Sequence, residues 1–164
     1  MEHILKRECF LPLPLEEVFS FFADAGNLER ITPKNLHFKI LTPQPIKMRE
    51  GTLIDYKLRI NGFPARWRTL ISSWEPPYAF TDEQLKGPYK QWIHRHTFEA
   101  REGGTLMTDH VRYKLPFYPL GQIAYPFVKW QVEGIFTHRN QVIPEALGIE
   151  NSDAVTPETA ATSA

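Results

Sequence analysis

The sequence predicts a single α+β domain in which a curved antiparallel sheet of about seven strands wraps around one long C-terminal helix. The middle of the chain alternates apolar and polar residues with a period of two, as strands with one buried face do. The last third instead repeats its apolar residues with the period of an amphipathic helix. A length of 164 residues suits one domain of this kind.

The first part of the chain predicts one strand followed by two short helices. Residues 3–11 mix apolar and charged positions in rough alternation, which favours a strand. A helix is expected to begin at Pro14, because proline suits the first helical turn and the two glutamates that follow complement its free N–H groups. A second helix over residues 27–31 is expected to end before Pro33.

Six more strands are predicted before Pro116. Alternation begins at residues 36–40 and is clearest over residues 54–60, where four apolar side chains share one face. Asn61-Gly62 then gives the strongest short-range signal for a two-residue hairpin loop. Short turns between strands require antiparallel pairing. The remaining predicted strands are residues 63–74, 78–85, 89–100 and 105–115.

A helix of about 28 residues is predicted after the last strand, with a kink or break at Pro126. Gly148 is placed for a C-terminal cap, so the domain is expected to span residues 1–148 and residues 149–164 to form a disordered tail. The helix is the only element long enough to cover the apolar face of the sheet, and a curved sheet closing on it can leave a cavity. The expected inward stripe is Leu120, Ala124, Phe127, Val128, Ile135, Val142, Ile143 and Leu147.

Composition excludes some function classes and favours one compartment. Nineteen basic residues balance nineteen acidic ones, so a general nucleic-acid binder is not expected. No stretch has the ~18 apolar residues of a membrane span, and the N-terminus lacks the apolar core of a secretory signal. The single cysteine, Cys9, excludes an internal disulfide and is interpreted as a small apolar residue of the first strand. A cytoplasmic location is therefore expected.

Strand alternation also predicts which polar residues point inward. His94 and His96 share the apolar face of their strand, and Asp109 shares the apolar face of the next. Asp82 and Gln84 are expected to join them from the preceding strand. Buried polar groups need partners, so these side chains should hydrogen-bond one another.

Three interpretations of this cluster stay open. The first is a structural network that ties strands together. The second is a polar pole that orients a largely apolar ligand. The third is a general acid/base pair in which His94 or His96 acts with Asp109. A His-x-His pair with a carboxylate can also form a two-histidine metal triad, but no other ligand set has specific spacing. Neither a metal ion nor a cofactor is expected.

The order of elements and several local motifs resemble the START/Bet v 1-like, or SRPBCC, superfamily with its helix-grip fold. The resemblance covers residues 5–147 and points to a bacterial subgroup, described as cell-division-inhibitor-like, that is related to polyketide cyclases and dehydrases. It implies a ligand cavity between the sheet and the C-terminal helix, but it transfers no reaction, because one fold hosts many functions. The motifs are residues 12–19, 27–28, 32–33, 74–77, 82–84, 87–89, 92–98, 109–113, 115–117 and 120–121, with Phe136 and Arg139 in the helix.

The sequence therefore predicts binding of a small hydrophobic or amphipathic molecule in an internal cavity. The alternatives are an aromatase/cyclase- or dehydratase-type enzyme and a protein-interaction module whose cavity is filled. The expected polar pole consists of Trp92, His94, His96 and Asp109, with Asp82 and Gln84 beside it. The expected apolar wall consists of Tyr56, Trp67, Tyr113 and Phe127.

Overall fold

The computed structural model describes residues 1–149 and contains one seven-stranded antiparallel sheet in the order β1-β7-β6-β5-β4-β3-β2. The predicted helix-grip α+β architecture is thus confirmed. The strands are β1 His3–Leu11, β2 Lys39–Ile40, β3 Leu53–Ile60, β4 Phe63–Glu75, β5 Ala79–Lys86, β6 Gln91–Arg101 and β7 Gly104–Lys114. The helices are α1 Leu15–Ala23, α2 Asn27–Ile31 and α3 Tyr125–Ala146, with short 3-10 helices at Lys34–Leu36 and Leu120–Gln122.

The β3–β4 hairpin turns at Asn61-Gly62, as its sequence predicts. Both residues have positive φ, 52° for Asn61 and 83° for Gly62, and this conformation matches the right-handed twist of the flanking strands. The β4–β5 pairing contains two register irregularities, one between Arg68 and Thr69 and one between Ile71 and Ser73. Irregularities of this kind bend a strand and increase its local twist, and here they help the sheet to curve.

The predicted strand over residues 36–40 is largely wrong. Residues Lys34–Leu36 form a 3-10 helix, and only Lys39–Ile40 pair with β3. His37 lies between them in a left-handed conformation with φ of 44°, which regular strand geometry excludes. Local alternation alone therefore overstates this strand, because its backbone turns before it reaches the sheet.

The C-terminal helix begins later than predicted and is not broken at Pro126. α3 starts at Tyr125, so Pro126 lies in the first helical turn, where its missing N–H has no helical acceptor to lose. The predicted C-terminal cap is present, because Gly148 has φ of 75° and its N–H donates to the carbonyl of Glu145. The predicted tail lies outside the described residues, apart from Ile149, which packs against the core.

The buried face of α3 matches the predicted stripe only in part. The predicted members that contact the core or the cavity are Val128, Ile135, Val142, Ile143 and Leu147, whereas Leu120, Ala124 and Phe127 are exposed. The buried side chains of α3 include Val132, Phe136, Arg139 and Ile143, spaced by four, three and four residues. Phe127 is instead 50% exposed and contacts Trp130 on the outer face of the helix. Phe127 and Phe136 are nine positions apart, and at 3.6 residues per turn such residues point in opposite directions.

The core divides into clusters that hold α3 at its two ends. Phe136 and Val132 pack with Leu5 and Val111 at one end, while Ile143 packs with α1 at the other. α3 makes most of its backbone contacts with α2 and β1. Bulky side chains thus separate the helix from the middle strands and leave space between them. No helix within residues 1–149 is long and apolar enough to cross a bilayer.

Candidate functional site

A cavity of about 170 Å³ lies between the concave face of the sheet and α3. This volume is several times the ~30 Å³ that one water occupies in the liquid. Most of its lining is aliphatic or aromatic and comes from β3, β4 and α3, with Phe22 and Leu28 from the two short helices. A mostly apolar cavity with a few convergent polar groups is the usual form of a small-molecule site.

Aromatic rings form one wall of the cavity. The ring of Trp67 stacks on Tyr56 with centroids 5.8 Å apart and meets the ring of Trp92 edge-on at 5.5 Å. The phenol oxygen of Tyr56 lies 3.1 Å from the hydroxyl oxygen of Thr69, which fixes its orientation. These contacts hold the rings in place, so the wall offers an ordered apolar surface to a ligand.

The polar pole of the cavity is a closed ring of two histidines and two aspartates. The strand register places His94 opposite Asp82 and His96 opposite Asp109. Nε2 of His94 donates to Oδ1 of Asp109 at 2.8 Å, and Nε2 of His96 donates to Oδ2 of Asp82 at 3.1 Å. Two further close contacts complete the ring. Nδ1 of His94 lies 3.5 Å from Oδ2 of Asp82. Nδ1 of His96 lies 2.9 Å from Oδ1 of Asp109, but the geometry is not that of a hydrogen bond.

Burial and pairing move the pKa values of the two histidines in opposite directions. Burial of His94, reinforced by the charge of His96, lowers its pKa below the ordinary value. Burial also opposes a charge on His96, but the carboxylates of Asp109 and Asp82 outweigh it and raise the pKa of His96. Compared with an ordinary histidine, His94 thus holds a proton less readily and His96 more readily.

Both carboxylates of the ring stay ionised despite their burial. Burial by itself would raise the pKa of Asp109, but the guanidinium of Arg139 and the imidazole of His94 hold it well below its usual range. Asp82 behaves in the same way: burial would raise its pKa, but its proximity to His94 and the hydrogen bond from His96 lower it. The pole is thus a compact set of nearly balanced charges.

Arg139 is the site residue that the sequence-based assignment missed. Its side chain is 9% exposed, lines the cavity and lies with Nη2 3.9 Å from Oδ1 of Asp109. Its guanidinium also lies over the ring of Phe136, 5.1 Å from the centroid. The sequence did contain a signal for this role. Arg139 is three residues after Phe136 and four before Ile143, and an arginine on an apolar helical stripe needs a buried partner.

The structure brings six of the predicted site residues to the cavity: Tyr56, Trp67, Asp82, Trp92, His94 and His96. Asp109 lies directly behind the histidines, and Tyr113 is buried in the core beside Val111. The amide of Gln84 instead binds the backbone of Tyr89 across the β5–β6 turn. Phe127 lies on the outer face of α3 and outside the cavity, so its assignment to the wall is wrong.

Asp82, His94 and His96 also offer one ligand atom each within 4.8 Å of one another, as a metal ion would require. Nε2 of His96 already donates to Asp82 and would have to lose its proton to bind a cation. The same atoms are accounted for by the hydrogen-bonded ring.

The fold and the cavity define a helix-grip protein with a largely apolar site and a charged pole. The sequence profile of the family described as "Polyketide cyclase / dehydrase and lipid transport" matches residues 11–139. The chain belongs to this family, which confirms the predicted membership of the START/Bet v 1-like superfamily. A search of curated proteins finds no match.

Solved structures with the same fold share little sequence with this chain. The protein TTHA0849 from Thermus thermophilus is 15% identical, with a TM-score of 0.69 over 90% of this chain and 97% of that one. A START superfamily protein from Mycobacterium smegmatis is 10% identical, with a TM-score of 0.65 over 87% and 98% of the two chains. Ara h 8.0201 is 17% identical, with a TM-score of 0.59 over 88% and 99%. At these identities the likeness concerns the fold.

Proposed function

We propose that this protein binds a small hydrophobic or amphipathic molecule in the cavity between the sheet and α3. The observation that carries the proposal is the cavity itself, which is about 170 Å³ in volume and is lined by aromatic and aliphatic side chains with one polar pole. A core that served stability alone would be expected to fill such a space, because protein interiors pack densely. The description of the family, which includes lipid transport, agrees with this function.

An acid–base enzyme of the cyclase or dehydratase type is the second candidate. It is favoured by the opposed pKa values of His94 and His96, because paired groups whose pKa values are pushed apart can act as base and acid. In this mechanism neutral His94 would accept a proton from the ligand and protonated His96 would donate one. Asp109 would hold the first imidazole in place through its hydrogen bond to Nε2.

The test is mass spectrometry of an organic extract from the purified protein. Wild type should carry a small molecule that is reduced in a His94→Ala/His96→Ala/Asp109→Ala variant and retained by Phe127→Ala, which changes an exposed side chain. Because the triple variant removes a buried network, Leu58→Trp provides a second test by adding bulk to a residue of the cavity lining.

Each outcome separates the candidates. A molecule lost from both cavity variants supports binding, and a mixture of two related molecules that changes with the histidines supports turnover. If wild type carries nothing and binds no apolar fluorescent probe, the ligand proposal fails and a protein partner becomes the better hypothesis. The cytoplasmic location and the bacterial origin expected from the sequence belong to the same proposal.

A further inference from the structure

The cavity is lined by buried hydrogen-bond donors that have no acceptor. Arg139 is 7% exposed, and its Nε and Nη2 have no hydrogen-bond partner within residues 1–149. Trp67 is also 7% exposed, and its indole Nε1 has no partner there either. Both residues line the cavity. Buried donors without acceptors are costly, so their presence on one cavity calls for an explanation.

No neighbouring acceptor forms a hydrogen bond with these donors. Asp109 and Asp82 accept hydrogen bonds from His94 and His96, and the hydroxyl of Tyr56 pairs with Thr69. The Asp109 oxygen nearest to Arg139 lies 3.9 Å from Nη2, which balances charge but is too long for a hydrogen bond. Two kinds of buried, unpartnered polar atom belong to the described cavity-lining side chains. Nδ1 of His96 lies 2.9 Å from Oδ1 of Asp109, whereas Nε1 of Trp67 and Nε and Nη2 of Arg139 can only donate. A complementary ligand must therefore supply acceptors.

The free edge of Arg139 matches one particular acceptor. Nε and Nη2 form the side of a guanidinium that binds both oxygens of a carboxylate. The same protein shows this geometry on the outer face of its sheet, where Nε and Nη2 of Arg68 donate to the two oxygens of Asp55 at 2.7 and 2.8 Å. Arg139 presents the same two atoms without a carboxylate.

We infer that the ligand is an apolar acid, whose carboxylate is held by Arg139 and Trp67 and whose body packs on the aromatic wall. This inference rests on the proposed ligand cavity and adds the chemical class of its occupant. The aromatic rings of Tyr56 and Trp67 favour an apolar body, and the apolar lining excludes a second charge at the far end.

Displacement of the fluorescent probe N-phenyl-1-naphthylamine tests this with three competitors that share one ring system. 2-Naphthoate carries a carboxylate, 2-acetylnaphthalene a neutral acceptor and 2-methylnaphthalene no acceptor. For wild type we expect 2-naphthoate to bind at least about tenfold more tightly than 2-methylnaphthalene, as charge-assisted hydrogen bonds in a buried site imply. Arg139→Met should abolish this preference, while Arg66→Met, a matched change of an exposed arginine, should leave it intact.

Trp67→Phe keeps the test decisive if Arg139→Met does not fold. It removes one N–H and keeps a ring, so the preference for 2-naphthoate should fall by about two- to tenfold while 2-methylnaphthalene binds as before. The inference is overturned if 2-acetylnaphthalene or 2-methylnaphthalene binds as well as 2-naphthoate to wild type, or if the preference survives both substitutions. If the naphthylamine probe itself does not bind, the proposed cavity function fails instead.

Discussion

Replacing Asp109 with asparagine removes the negative charge on which the polar pole depends. Asp109 is 2% exposed, accepts a hydrogen bond from Nε2 of His94 at 2.8 Å and faces the guanidinium of Arg139 at 3.9 Å. The substitution preserves shape but leaves Arg139 charged, buried and without its counter-charge. Removing one partner of a buried ion pair costs about 3–5 kcal/mol of unfolding free energy.

The expected effect is large enough to measure by urea or thermal unfolding. For a domain of this size, each kcal/mol shifts the melting temperature by about 2–4 °C, so Asp109→Asn should melt about 6–20 °C below wild type. Asp55→Asn is the matched control, because the same substitution there breaks a bidentate pair with Arg68 whose side chains are both 40% exposed. Its effect should be clearly smaller, since solvent screens an exposed pair.

A destabilisation by Asp109→Asn no greater than that by Asp55→Asn would refute this reasoning. It would mean that the buried ring is held by packing alone and that the charge of Arg139 is compensated by solvent or by a bound ion. The ring would then contribute little to the stability of the sheet.

Three further predictions follow from the buried groups. The difference in unfolding free energy between wild type and Asp109→Asn should grow as pH falls from 8 toward 5, because the carboxylate of Asp109 stabilises the protonated form of His96. The difference should shrink at much lower pH, where Asp109 itself is protonated despite its depressed pKa. Unfolding free energies measured across this pH range check both changes. Cys9 should react with a disulfide reagent far more slowly in the native protein than in denaturant, because burial raises its thiol pKa to about 11, and thiol titration by absorbance measures the two rates. Phe127→Ala should change the unfolding free energy by less than ~0.5 kcal/mol. Phe136→Ala should lower it by ~3–5 kcal/mol, because the ring of Phe136 is 2% exposed. Equal losses in the two variants would contradict an orientation of α3 with Phe136 inside and Phe127 outside.

The inward direction of the polar residues could be predicted because strand alternation is a local property. His94 and His96 are two positions apart, so they must share a face, and the apolar residues around them indicate which face is buried. Pairing of this strand with the next then brings Asp109 to the same face. Turn signals such as Asn61-Gly62 are local for the same reason, and the structure retains them.

The orientation of α3 could not be predicted in this way. The helix and the turn before it carry apolar residues on two opposite faces, with Phe127 and Trp130 outside and Val132 and Phe136 inside. Periodicity therefore finds the helix but locates its buried side only in part. The choice depends on which side chains fit against β1 and β7, and the contacts with β1 join residues more than a hundred positions apart in sequence.

The sequence by itself determined the order of elements, the hairpin and the faces of the strands, because each depends on residues close together along the chain. The tertiary structure alone decided that α3 stands away from the middle strands, that a cavity remains there and that Arg139 reaches its polar pole. These features depend on the distance between elements distant in sequence, which is set when bulky side chains pack from both sides of the core.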